Sequence, residues 1–242
     1  MKTLFIILNI FLFTFQISAQ PLQRVAPEQV GMNSRYLTYA DQAIEKAINN
    51  KDIPGAVLAV VRHGKLAYLK AYGCKQTFPT RKPMDTHTVF DMASVSKSIS
   101  TAICALILTE RGQLRLTDPV NLYLPAFSEE IRITDLLTHT SGLPAYAPIN
   151  KLVEQYGSPN PEGLIEYIAG CKPVFKPGSD FQYSCLNYIV LQHIIETISG
   201  QSLRDFAKAN IFDPLGMSHT DYCPTGEILE HCAPVSYTHL TL

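Results

Sequence analysis

Two apolar runs, AVLAVVR over residues 56–62 and KLAYLKAYG over residues 65–73, are separated only by His63-Gly64. A two-residue connection with glycine where positive φ is needed folds the runs back on each other as an antiparallel hairpin. Ahead of them, Leu37, Ala40, Ile44, Ala47 and Ile48 recur at helical spacing, with Ser34 as the candidate cap and an end near Asn50. The order is helix, strand, tight turn, strand. A two-stranded sheet with one covered face is not stable alone. The hairpin therefore needs either the rest of the chain or a partner to complete it.

The chain beyond the hairpin reads mainly as helix. Residues 74–90 are polar and turn-rich. A long apolar helix is predicted from Ser94 to about Arg111, with Ile99, Ala102, Ile103, Leu106 and Ile107 inside and Gly112 as its stop. Thr134 can cap a short helix through Leu137, and residues 157–161 read as a loop. Tyr188, Leu191, Ile194, Ile195 and Ile198 mark another helix, ending at Gly200. Ser202 with Asp205 three residues on is a capping box for the next. The fold class expected is α/β in the α+β sense. A helix and hairpin occupy residues 20–73, and a mainly helical region occupies residues 74–234.

At 242 residues and 46% apolar, the chain can bury a real core in one ordinary domain or two small ones. A net charge of -1 with no basic run gives no electrostatic case for a nucleic-acid partner or an anionic membrane. Residues 1–19 read as an export signal: Lys2 starts it, Leu4 to Phe15 is almost unbroken apolar sequence, and Ser18-Ala19 offers small residues for cleavage. The alternative, a membrane anchor, needs roughly 20 apolar residues, more than this stretch supplies. The expected location is thus periplasmic or extracellular, with no stable membrane anchor. Some of the six cysteines could pair in that setting, although Cys104 lies in the apolar helix as a small buried hydrophobe. There is no CxxC or HExxH, and the seven histidines show no ligand spacing, so neither a metal nor another cofactor is called for.

Ser94-Val95-Ser96-Lys97 is the constellation that carries chemistry. Residues three apart on a helix share a face, so a serine and a lysine stand side by side at the first turn. The positive end of a helix favours a developing alkoxide. Burial against apolar side chains is expected to lower the lysine pKa toward that of a general base, which activates serine without histidine. The alternative is an ordinary helix start with a solvated lysine, and the flanking sequence decides between them.

Four segments, in order, supply that context. They are Phe90 to Lys97 (FDMASVSK), Leu136 to Pro144 (LLTHTSGLP), Pro177 to Ser184 (PGSDFQYS) followed by Asn187-Tyr188, and Phe212 to Met217 (FDPLGM). Together they resemble the signatures of class C β-lactamases and their esterase and peptidase relatives, within the serine β-lactamase and penicillin-binding protein superfamily. The resemblance spans about residues 30–234. It implies a serine β-lactamase/transpeptidase-like fold, with an antiparallel sheet flanked by helices and a mainly helical subdomain. It implies Ser94 as nucleophile, Lys97 as its base and Tyr183 as the tyrosine of a Tyr-x-Asn motif. A phenol there shuttles a proton with the lysine, helped by the neighbouring ammonium.

Two positions depart from or complicate that pattern. The motif's third residue is Cys185 rather than Asn, and cysteine is a poor donor and a weak acceptor. The resemblance makes Cys185 a substrate-binding position that reads a lactam side-chain amide badly. Cys185 as a nucleophile is the alternative, without a helix start or a paired histidine to support it. His139 could be a triad histidine, but its Thr-His-Thr-Ser-Gly setting reads as a structural turn, with Thr138, Thr140 and Ser141 satisfying the end of a helix closed by Gly142.

The family's third motif, Lys-Thr-Gly or His-x-Gly, does not occur after Tyr183. By resemblance it lies on a strand that supplies one donor of the oxyanion hole. The expectation is a gene product cut short, with its C-terminal strands missing, residues 235–242 foreign to the fold, and little activity of its own; a naturally short member is the alternative. The function expected of the full protein is acyl-enzyme hydrolysis of an ester, amide or lactam, in a small-molecule or peptide-like substrate. Esterase or peptidase activity is favoured, with a class C β-lactamase, or a non-catalytic relative binding peptidoglycan or a partner, as alternatives.

Overall fold

The computed structural model describes residues 21–157 and 160–234. The leader of residues 1–19 and the tail of residues 235–242 lie outside the described residues.

Helix α1 (Ser34–Asn49) precedes strands β1 (Gly55–Arg62) and β2 (Lys65–Gln76). The cap of α1 is Asn33, not Ser34: its side chain accepts the Arg35 N–H at 2.9 Å. The strands pair antiparallel from Gly55↔Gly73 to Arg62↔Lys65, with a bulge after Val60. The turn forms as its sequence requires, with φ of 51° at His63 and 69° at Gly64.

The sheet has a third member that the sequence pattern does not reveal. Strand β3 (Lys82–Pro83) pairs with β2, giving the order β1-β2-β3. A two-residue strand containing proline has no alternating pattern to betray it. Strand β2 also runs to Gln76, so the sheet extends past residue 73, where the helical region was expected to begin.

Aspartate 41 fastens α1 to the sheet. Tyr68, Lys70 and Tyr72 alternate on β2 and so share one face. The Tyr68 and Tyr72 hydroxyls donate to Asp41 Oδ1, the former at 2.6 Å, and the Lys70 ammonium reaches Oδ2 at 3.0 Å. The Tyr68 hydrogen bond, then that of Tyr72, holds the Asp41 carboxyl down at about 2.

The core lies in the helical region. Helices α2 (Ala102–Glu110), α3 (Ile133–Leu137), α4 (Ile149–Tyr156), α5 (Pro161–Ala169), α6 (Cys185–Ser199), α7 (Leu203–Ala207) and α8 (Gly226–His231) come after the sheet. Helix α6 is its centre: Leu186, Val190, Leu191, Ile194 and Ile195 are buried against Cys104, Ala105 and Leu108 of α2, Leu136 of α3, Ile168 of α5 and Phe206 of α7. Cys104 is fully buried, and desolvation raises its thiol to about 11. All six cysteines are free.

Two helix starts differ from those expected of the sequence. Helix α3 starts at Ile133 behind Arg132, whose N–H donates to Asp135 Oδ2 at 2.9 Å, so Thr134 is not its cap. It ends at Leu137 as expected, and the turn that carries Gly142 follows it. Helix α6 starts at Cys185, with Ser184 as the cap that accepts the Leu186 N–H. The Ser202 cap of α7 forms as expected, with Ser202 Oγ accepting the Asp205 N–H.

Candidate active site

Ser94 stands at the turn that launches the helix leading into α2. Ala93 before it has φ of 42°, a conformation that L-residues adopt at a cost and that clusters at functional sites. The helix then opens into a π-helical turn over Lys97–Thr101, where the Ala102 N–H donates to the Lys97 carbonyl five residues back. Three-residue spacing still brings the two side chains together: Lys97 Nζ donates to Ser94 Oγ at 3.1 Å.

Tyr183 arrives from the loop before α6. Its hydroxyl donates to Ser94 Oγ at 2.8 Å. The Lys97 ammonium lies 5.4 Å from the Tyr183 ring centroid. A serine oxygen that receives both an ammonium and a phenol is held where its developing negative charge would be stabilised.

Lysine 97 does not carry the depressed pKa expected of it. Burial is the largest influence and pulls it down, but hydrogen bonds and opposing charge from Tyr183 and Cys185 outweigh it, and the net direction is up. Desolvation was foreseeable from the apolar helix, whereas the phenol and thiol come from residues more than 80 positions away. The resting form at neutral pH is the ammonium.

Cys185 interacts with Lys97 from the first position of the 15-residue helix α6, so the helix start that the sequence did not reveal is present. Among the described residues no histidine is hydrogen-bonded to it. His139 Nδ1 is occupied by the Ser184 N–H at 3.2 Å and the Asn187 amide at 3.1 Å. Among the described residues the side-chain partners of Ser94 Oγ are Lys97 and Tyr183 and not His139, so the triad alternative has no geometry behind it. Burial, then the Lys97 charge, lowers its pKa.

The turn around His139 explains one glycine. Gly142 has φ of 77°, and a Cβ there would lie 2.3 Å from the Phe175 carbonyl oxygen. Only glycine lets residues 173–175 cross the turn and carry the chain toward Tyr183.

The sequence matches the Beta-lactamase family model over residues 40–240. The chain belongs to the beta-lactamase family. Among the family's curated proteins, it is 32% identical to the N-acetylmuramyl-L-alanine amidase of Bacillus subtilis, over 92% of this chain and 57% of that protein. It is 27% identical to a putative D-alanyl-D-alanine carboxypeptidase of Escherichia coli, over 93% and 56%. Among solved structures, a class C beta-lactamase superposes with a TM-score of 0.73 at 26% identity, over 83% of this chain and 55% of the other. EstCE1, a hydrolase with promiscuous acyltransferase activity, superposes with a TM-score of 0.69 at 29% identity, over 80% and 54%. The chain thus spans just over half the length of these beta-lactamase family relatives. Its mixed architecture, helices around an antiparallel sheet, is that of the family's transpeptidase-like fold. Among the described residues no helix is long and apolar enough to cross a membrane.

Some of the site was invisible in the sequence. Ser141 and Asn187 are fully buried polar residues linked at 2.6 Å, and together with His139 they tie the turn after α3 to α6. A patterned run of histidine, threonine and serine signals a turn, but no local rule says which distant residues it grips.

Proposed function

We propose that this protein is a serine hydrolase in which Ser94 forms an acyl-enzyme with an ester, amide or lactam carbonyl. The supporting observation is that the Lys97 ammonium and the Tyr183 phenol both donate to the same oxygen, Ser94 Oγ. As Ser94 attacks, the Tyr183 hydroxyl takes the serine proton and hands its own to the leaving group, so the phenol ends the step neutral. Lys97 stabilises the charge that develops on the serine oxygen as a fixed cation. The backbone N–H of Ser94 supplies an oxyanion donor where the carbonyl oxygen gains charge. Water completes the cycle by attacking the acyl carbon, and the carboxylic acid leaves.

An exported enzyme acting on simple esters or peptide-like amides is the favoured form, and the amidase and carboxypeptidase names of its relatives agree with it. Cys185 stands where the family's tyrosine motif carries Asn, which weakens amide recognition and places a class C β-lactamase second. A non-catalytic peptidoglycan- or partner-binding role is the reading that differs in kind. The deciding experiment is active-site labelling with a fluorophosphonate and with a fluorescent penicillin, followed by peptide mapping. Ser94 should carry the label, and Ser94→Ala should lose it by many orders of magnitude in rate while keeping its thermal transition. Undiminished labelling of Ser94→Ala would overturn the assignment, and labelling by neither probe of a protein extended to the length of its relatives would favour the binding role.

A further inference from the structure

The phenol of Tyr183 can serve Ser94 only if its ring is held still, and one residue, His139, bonds to the chain on both sides of it. The residue before the tyrosine, Gln182, donates its N–H to the His139 carbonyl at 3.0 Å. The residue after it, Ser184, donates its N–H to His139 Nδ1 at 3.2 Å. The His139 ring itself lies against the Tyr183 ring, with centroids 4.5 Å apart, and is flanked by Tyr188 at 5.3 Å and Phe181 at 6.2 Å. His139 has φ of 59°, so the backbone is held in a left-handed conformation to present both its carbonyl and its ring to one loop.

The surrounding hydrogen bonds also fix the protonation of that ring. Ser141 Oγ accepts the Leu143 N–H at 3.0 Å, so its own proton goes to Asn187 Oδ1 at 2.6 Å. The Asn187 oxygen is thereby turned toward Ser141 and its NH2 group toward His139 Nδ1, at 3.1 Å. With the Ser184 N–H aimed at the same atom, Nδ1 must be bare, and the neutral ring carries its proton on Nε2.

We infer that neutral His139 is the positioning residue of this site: it brackets Tyr183 on both sides of the chain and sets its phenol against Ser94. The inference rests on the hydrolase reading above for its catalytic consequence. A proton added at Nδ1 would face two N–H donors and would put a second cation beside Lys97. The titratable groups that reach it are Lys97 on the π-helical turn, through its charge, and Tyr183 on the loop and Tyr188 on α6, through their rings. On its own segment, Asp135 is engaged by the Arg132 N–H and the Thr140 hydroxyl. Protonation therefore releases the loop, and Ser94 loses its phenol. The neutral form is favoured by folding, so the anchored loop is complete above the ordinary value of 6.5 and is lost as pH falls below it.

The test uses the full chain, His139→Asn and His139→Ala. In Asn, Oδ1 sits where the histidine carries Nδ1, and asparagine tolerates positive φ. Two readouts are followed from about pH 4 to pH 8: the fluorophosphonate acylation rate, and the NMR shifts of 13C-labelled tyrosine rings, assigned with Tyr183→Phe. In the parent, acylation should fall through a single inflection below pH 6.5, and the Tyr183 resonance should move with the same midpoint. His139→Asn should keep most of the acylation rate and lose both inflections. His139→Ala should acylate about 10- to 100-fold more slowly, the scale of losing precise placement of a reacting group. A Tyr183 resonance that does not titrate in the parent, or that titrates unchanged in His139→Asn, overturns the inference. A parent extended to the length of its relatives that never acylates overturns the hydrolase reading instead, and the ring shifts still judge His139.

Discussion

Replacing Lys97 with Met removes a cation while keeping an unbranched, flexible side chain of similar length. The ammonium lies 3.1 Å from Ser94 Oγ. A full negative charge on that oxygen would gain about 5 kcal/mol from it at an effective dielectric of 20, and about 1.3 kcal/mol in bulk water. The site is half open, so the truth lies between, and at about 1.4 kcal/mol per decade the acylation rate should drop between about tenfold and several thousandfold. The melting temperature should stay within about 4 °C, because one partly exposed hydrogen bond contributes about 1 kcal/mol or less. Lys97→Arg separates charge from basicity. Since Tyr183 and Cys185 keep Lys97 protonated, a guanidinium should recover part of what Met loses, although its planar fork cannot copy the ammonium's geometry. The assay is the pseudo-first-order rate of fluorophosphonate attachment, read by intact mass against pH. Acylation of Lys97→Met within threefold of the parent would refute the charge argument. An Arg variant as slow as Met, together with a parent rate that climbs through a lysine ionisation below 10.5, would show that Lys97 acts as a neutral base.

Asp41→Asn should lower stability by about 1.5–3 kcal/mol, the range for hydrogen bonds to a charged group, measured by urea unfolding at neutral pH. The Asp41 carboxyl is depressed in the folded state from 3.8 to about 2, so its contribution should be whole above pH 3.8 and vanish as pH falls through about 2; an acid-unfolding curve unchanged by the substitution would contradict this. Cys185→Asn should raise kcat/KM for a penicillin relative to an aryl ester by about 2- to 10-fold, the worth of one net hydrogen bond; an unchanged ratio would mean that residue 185 does not read the amide.

How far the sequence could be read depended on the range of the interaction. His63-Gly64, Ser202 with Asp205, and Ser94 with Lys97 are each decided within four residues, and each forms as its local chemistry requires. The caps at Asn33 and Arg132 are not legible locally because neighbouring residues compete there, and the winner depends on which side chain meets an N–H: Asn33 reaches Arg35 forward, while Asp135 reaches Arg132 backward. The larger gap is one of sign. Burial alone would make Lys97 a base, yet a phenol 86 positions later in the chain, with the thiol two residues beyond it, reverses the direction. His139 shows the same limit from the other side. Its local sequence says only that the chain turns, and the turn does form. What gives the residue a role is that Gln182, Ser184 and Asn187, 43 to 48 positions away, all bond to it. A motif can name the groups that touch a reacting atom. The groups that decide their charge and hold them still belong to the tertiary fold, and so do the perturbations that separate one mechanism from another.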